Sequence, residues 1–243
     1  MPDHVVEDRK AAARELHLAL WALNRAPSTI DIGHSLFTPA LTTWMDVPCP
    51  KGMQPAQQLA QTRRFLREHG VDAHAEFCVE AYPRQSLTLP TAADVWRLSS
   101  VIVEQLSPPN AARHRLAHAA RNIGIEWLST VRYPTPQFPV IQPDDLSIGA
   151  ARSLYRALAQ HPVSADFDPA NHDAVEALLN DLTKAISTAA DSAQVLLYRT
   201  DEDTIRFSCI PPEAAGQLAD ALAQHARRLR ALLAVGLDFE KAS

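Results

Sequence analysis

At 243 residues, 47% hydrophobic and 21% charged, the chain is long enough for one large core or two smaller ones and too apolar for intrinsic disorder. The net charge of −5 divides into about −2 over residues 1–109 and −3 over 110–243, so neither half has the basic balance of a dedicated non-specific DNA binder. No apolar run approaches the roughly 20 residues of a membrane span, and the charged stretch Met1–Lys10 has no apolar segment behind it to make a signal peptide.

Cys49, Cys78 and Cys209 lie far apart and form no CxxC pair, which predicts reduced thiols in a cytoplasmic protein. Seven glycines against eighteen prolines and abundant alanine favour helices divided by proline stops. Nineteen arginines against four lysines, together with the alanine, point to a GC-rich bacterial genome. That is codon bias rather than chemistry.

The first expected helix covers residues 8–25, with Leu16, Leu20 and Leu23 on one stripe and Leu18 with Trp21 on a second. Apolar residues on two sides predict a helix wedged between layers. Pro27 ends it, and Thr29 to Val47 reads as extended, turning at Thr38-Pro39. A second helix fits 54–69 and stops at Gly70. Next comes the clearest strand, 71–82, where Val71, Ala73, Ala75, Phe77 and Val79 alternate with Asp72, His74, Glu76, Cys78 and Glu80. A short strand at Ser86–Leu89 follows, and Thr91 with Asp94 caps a helix to about Leu106. Pro108-Pro109 is the expected stop and domain boundary.

In the second half Asn110 is positioned to cap a helix to Ile123, and Ile125–Tyr133 reads as extended. After a proline-punctuated stretch, helices are expected over 145–161 and, from an Asp168 cap with Pro169 at its first position, to about Ala190. The stripe of that second helix is Val175, Leu179, Leu182 and Ile186. Ala193–Tyr198 and Thr204–Ile210 form a hairpin, and Pro211-Pro212 opens a final helix to Gly236.

The expected fold is therefore helix-rich α+β, with antiparallel hairpins packed against helices. Its two halves, 1–108 and 109–243, share the order helix, hairpin, helix, hairpin, helix, with one extra helix in the second. Echoes such as Leu87–Leu98 against Cys209–Leu222 are thin, so internal duplication is an expectation from element order, and alanine-rich helices look alike by composition. A groove between two similar halves would be a natural working surface.

No P-loop, GxGxxG, GxSxG or EF-hand pattern appears, and no catalytic residue, metal or cofactor is assigned. His74, Glu76 and Glu80 line the polar face of the 71–82 strand. Their spacing of roughly 6.5–7 Å is too wide for one zinc without outside help, so a solvated face is the plain alternative. His114 and His118 share a face of the 110–123 helix with Arg121. The leucine and alanine stripe of that helix predicts that they are exposed and able to contact an anion. His225 interrupts the leucine seam of the last helix and reads as a core histidine. These features favour a non-enzymatic interaction or regulatory protein, with a protein partner or homodimer and no membrane. The alternatives are an enzyme or small-ligand-binding protein of unfamiliar type, and a nucleic-acid binder using the basic 110–123 helix.

Overall fold

The computed structural model describes residues 3–23, 30–34, 41–48, 54–78, 84–135, 137–159, 167–191, 195–200 and 203–234. It is a helix-rich α+β structure that divides into two compact units, Met1–Leu106 and Ser107–Ser243.

The first unit runs α1 (Asp3–Ala22), β1 (Ile30–His34), β2 (Leu41–Pro48), α2 (Pro55–Glu68), β3 (His74–Cys78), β4 (Arg84–Leu89) and α3 (Ala92–Glu104). Its strands form one antiparallel sheet in the order β1-β2-β4-β3, so β3 is an edge strand. Helices α1 and α3 pack together, and Leu16, Leu20, Val95, Leu98 and Ile102 join Ala75, Leu87 and Leu89 of the sheet in one core. Of the two expected stripes of α1, Leu16, Leu18 and Leu20 are buried, whereas Trp21 and Leu23 are half-buried. The turn expected at Thr38-Pro39 lies outside the described residues.

Two local signals are obeyed closely. Thr91 Oγ1 accepts from the Asp94 amide at 3.1 Å and donates to its carboxylate, closing the N-terminus of α3. Gly70 ends α2 at φ +61°, where a side chain is disfavoured. Its amide reaches Arg67 O and that of Val71 reaches Leu66 O at 2.9 Å, a Schellman closure with Leu66 and Val71 both in the core.

The second unit runs α4 (Pro108–Arg121), β5 (Ser129–Thr135), β6 (Phe138–Pro143), β7 (Leu146–Ser147), α5 (Ile148–Ala159), α6 (His172–Ala189), β8 (Leu197–Arg199), β9 (Thr204–Phe207) and α7 (Pro212–Ala234). Strands β5 and β6 form a hairpin, and β7, β9 and β8 form a sheet in that order. An antiparallel bridge between Ile141 and Ile210 links β6 to the chain just after β9. Like the first unit it holds two hairpins, β5–β6 and β8–β9, but it adds β7 and divides its strands between two sheets, with β8 at one edge of the second. Again the first and last helices, α4 and α7, pack together. Trp127 and Phe207 meet at 4.7 Å between ring centroids in a core shared with Leu116, Ile141, Leu154 and Leu222. The predicted α6 stripe of Val175, Leu179, Leu182 and Ile186 is buried in it.

Three sequence expectations shift. Pro108 and Pro109 follow the end of α3, as expected, but they also open α4 ahead of Asn110, because proline's missing N–H is no loss in a first helical turn. Asn171, not Asp168, caps α6: its Oδ1 accepts from the amides of Asp173 and Ala174, while Asp168 turns the chain earlier by accepting from Ala170 N at 2.9 Å. The helix expected from 145 starts at Ile148, because Leu146 and Ser147 first pair with β9.

Candidate functional site

On β3, His74 and Glu76 are two residues apart on the solvated face, and His74 Nε2 lies 3.7 Å from Glu76 Oε2. Both side chains are mostly exposed, which matches the expected alternation. Glu80 lies outside the described residues. Among the described residues no three His, Cys, Asp or Glu side chains cluster closely enough to hold a metal ion.

On α4, the rings of His114 and His118 stack with centroids 6.2 Å apart, as their i, i+4 spacing requires. Their environments differ from the expected exposed face. His118 is exposed and Arg121 half-buried, but His114 is only 6% exposed. The helix is buried on more than its leucine–alanine stripe, since Arg113 and Ala117 are also enclosed. Arg113 is 1% exposed, and burial pulls its guanidinium down to about 10 despite the opposing pull of Asp144. Arg115, the exposed arginine next along, is tied to Asp220 of α7 at 2.5 Å. The basic run is therefore divided between a buried residue and an ion-paired one, which weakens it as a phosphate-binding stripe.

On α7, Leu218, Leu222 and Ala226 are buried and His225 is half-buried. Desolvation, with Arg228 nearby, holds its imidazole below the usual value. Cys209 is a free thiol whose Sγ donates to Gln142 Oε1 at 3.0 Å.

A concave surface that no sequence motif marks lies on the second unit. An open groove of about 1020 Å³ runs between α6 and β8, with Leu179 and Leu197 on its apolar part and Glu176, Asn180 and Thr183 along the α6 wall. At one end Arg199 Nη1 lies 3.3 Å from His172 Nδ1. Strand β8 is the edge of its sheet. Tyr198 on it is 49% exposed, and Leu196, the residue just before the strand, is 63% exposed. Beside them Arg206 of β9 makes a two-point ion pair with Asp145, at 2.9 and 2.7 Å, which holds that carboxylate below its usual range.

The hydrogen-bond direction along β8 is fixed by its neighbours. Leu196 O accepts from Ser208 N at 2.9 Å and Thr200 N donates to Thr204 O at 3.1 Å. Residues 196, 198 and 200 therefore face β9, and by the antiparallel alternation the N–H and C=O of Leu197 face outward. Phe207, opposite Leu197, confirms the parity, because its carbonyl turns away from β8 to accept from Gln142 Nε2 at 2.8 Å.

A signal for this surface exists in the sequence. Val195-Leu196-Leu197-Tyr198 is apolar at both parities, whereas a strand with one solvated face alternates. Comparison with protein-family models, curated proteins and solved structures finds no match.

Proposed function

We propose that the chain is a non-enzymatic interaction or regulatory protein, and that its partner is another protein docking on β8 beside α6. The observation that carries this is the exposure of Tyr198 on an edge strand and of Leu196 just before it, beside an open groove. Adjacent exposed apolar side chains gain most from burial against a partner, about 25 cal/mol per Å² of apolar surface removed from water. The groove also carries polar groups from Asn180, Thr183 and Glu176, a mixture usual at protein interfaces.

The proposal rests on the second unit alone. Both units place two hairpins between a first and a last helix, an arrangement that a repeated ancestral unit would leave, and superposition of one on the other tests it. No described helix is long and apolar enough to cross a membrane, which agrees with a partner met away from the bilayer.

Native mass spectrometry of the protein as purified, with nothing added, tests this function. The expected spectrum holds the bare 26.7 kDa chain or its whole multiples. A discrete small increment, carried through desalting, contradicts the proposal and makes the protein a binder of a metal or metabolite.

A further inference from the structure

One edge strand in each unit is treated differently. In the first, Arg63 of α2 reaches across to edge strand β3 and donates to the main-chain carbonyl of Ala75 from Nε at 3.1 Å and from Nη2 at 2.7 Å. A charged side chain laid over an edge is a common way to block strand pairing. In the second unit β8 is an edge strand, and the helix beside it leaves a groove instead of a cap. Leu197 turns its N–H and C=O toward that side, and no hydrogen bond among the described residues reaches them.

We infer that the groove receives an extended segment of a partner protein, which adds to the sheet as a strand beside β8. This rests on the docking proposed above and specifies its occupant. An outward N–H and C=O on one strand residue are satisfied together by a second main chain in extended conformation, and a helix offers neither group along its side. The incoming strand's side chains alternate. Those on one face lie against Leu197, Leu179 and the α6 wall, and those on the other lie against Leu196 and Tyr198. Both faces meet apolar surface, so the segment is apolar at both parities, as the β8 sequence itself is.

Charge narrows it further. Among the charged lining side chains Glu176 and Asp203 outnumber Arg199, so the groove carries a net negative charge. The segment is therefore free of acidic residues over the stretch that fills the groove, and any basic residue it carries there contributes less as salt rises.

The test uses the full chain and a displayed library of random linear 12-residue peptides as the probe. Selected peptides are expected to be apolar, to lack acidic residues, and to slow exchange of the Leu197 amide. Leu197→Pro, which removes the outward N–H, and the double variant Leu196→Lys with Tyr198→Lys, which leaves the main chain intact, are each expected to weaken them at least tenfold. Circular dichroism of both variants shows that they fold, and the lysine variant serves alone if the proline one does not. Peptides that bind as helices, yet still depend on Leu196 and Tyr198, overturn strand addition while leaving the docking surface in place. Peptides indifferent to all three residues overturn both. A chain that is dimeric by light scattering, and made monomeric by the lysine variant, assigns the edge to a second copy and overturns the partner segment.

Discussion

Ile141 and Ile210 exchange two main-chain hydrogen bonds of 2.8 Å and are both almost fully buried. This bridge joins the β5–β6 hairpin to the β9 region, and it places Gln142 where its amide reaches Phe207 O and Cys209 Sγ. One pair of isoleucines therefore carries the junction that the first unit makes with the long β2–β4 ladder.

Ile141→Ala removes a fully buried side chain at that junction and leaves the main-chain bridge able to form. The expected cost is about 2–5 kcal/mol, the range for large-to-small core changes. Urea denaturation followed by tryptophan fluorescence reads it through Trp127 in the same core. A change under about 1 kcal/mol would show that the site is not the packed core described.

Gly124 closes α4 at φ +80°, with Gly124 N bound to Arg121 O and Ile125 N to Ala120 O. A Cβ there would meet nothing within 4 Å, so any cost of Gly124→Ala comes from the backbone alone. That cost is expected at about 1–2 kcal/mol, with Gly124→Asn losing less because asparagine tolerates the left-handed region better. Equal losses for the two variants, measured by thermal unfolding, would contradict a purely conformational origin.

His225 titrates below its ordinary value of 6.5 because burial and Arg228 disfavour its charged form. The unfolded chain therefore binds the proton more readily than the folded one. The stability contributed is fully present above about pH 6.5 and is lost as the pH falls through the lower folded value. His225→Gln, neutral throughout, is expected to flatten the stability curve below pH 6.5. An unchanged slope between pH 6.5 and 5 would show that the ring is freely solvated.

Much of this architecture is legible in the residues. Leucine and isoleucine periodicity places α6 and its buried stripe, Gly70 marks the end of α2, and Thr91 with Asp94 marks the start of α3. Where the reading fails, one strong signal outcompetes another. Asp168-Pro169 is a fair capping pair, but Asn171 forms the cap, and a proline pair that looks like a stop is equally suited to opening a helix. His114 eludes the sequence for a different reason. A helix stripe identifies the side facing its own core, whereas burial of the remaining faces depends on tertiary packing that periodicity does not encode. The groove beside β8 is harder still, since it depends on the distance at which α6 stands from an edge strand. Only the apolar run at both parities, Val195 to Tyr198, hints at it.

The most direct measurement of the central claim is amide hydrogen exchange, residue by residue along β8, in the chain alone. An open edge predicts slow exchange at Tyr198 and Thr200, whose amides face β9, and fast exchange at Leu197 just before them. Leu197 protected as strongly as Tyr198 and Thr200 would mean that the edge is already covered, and the docking surface proposed above would not exist.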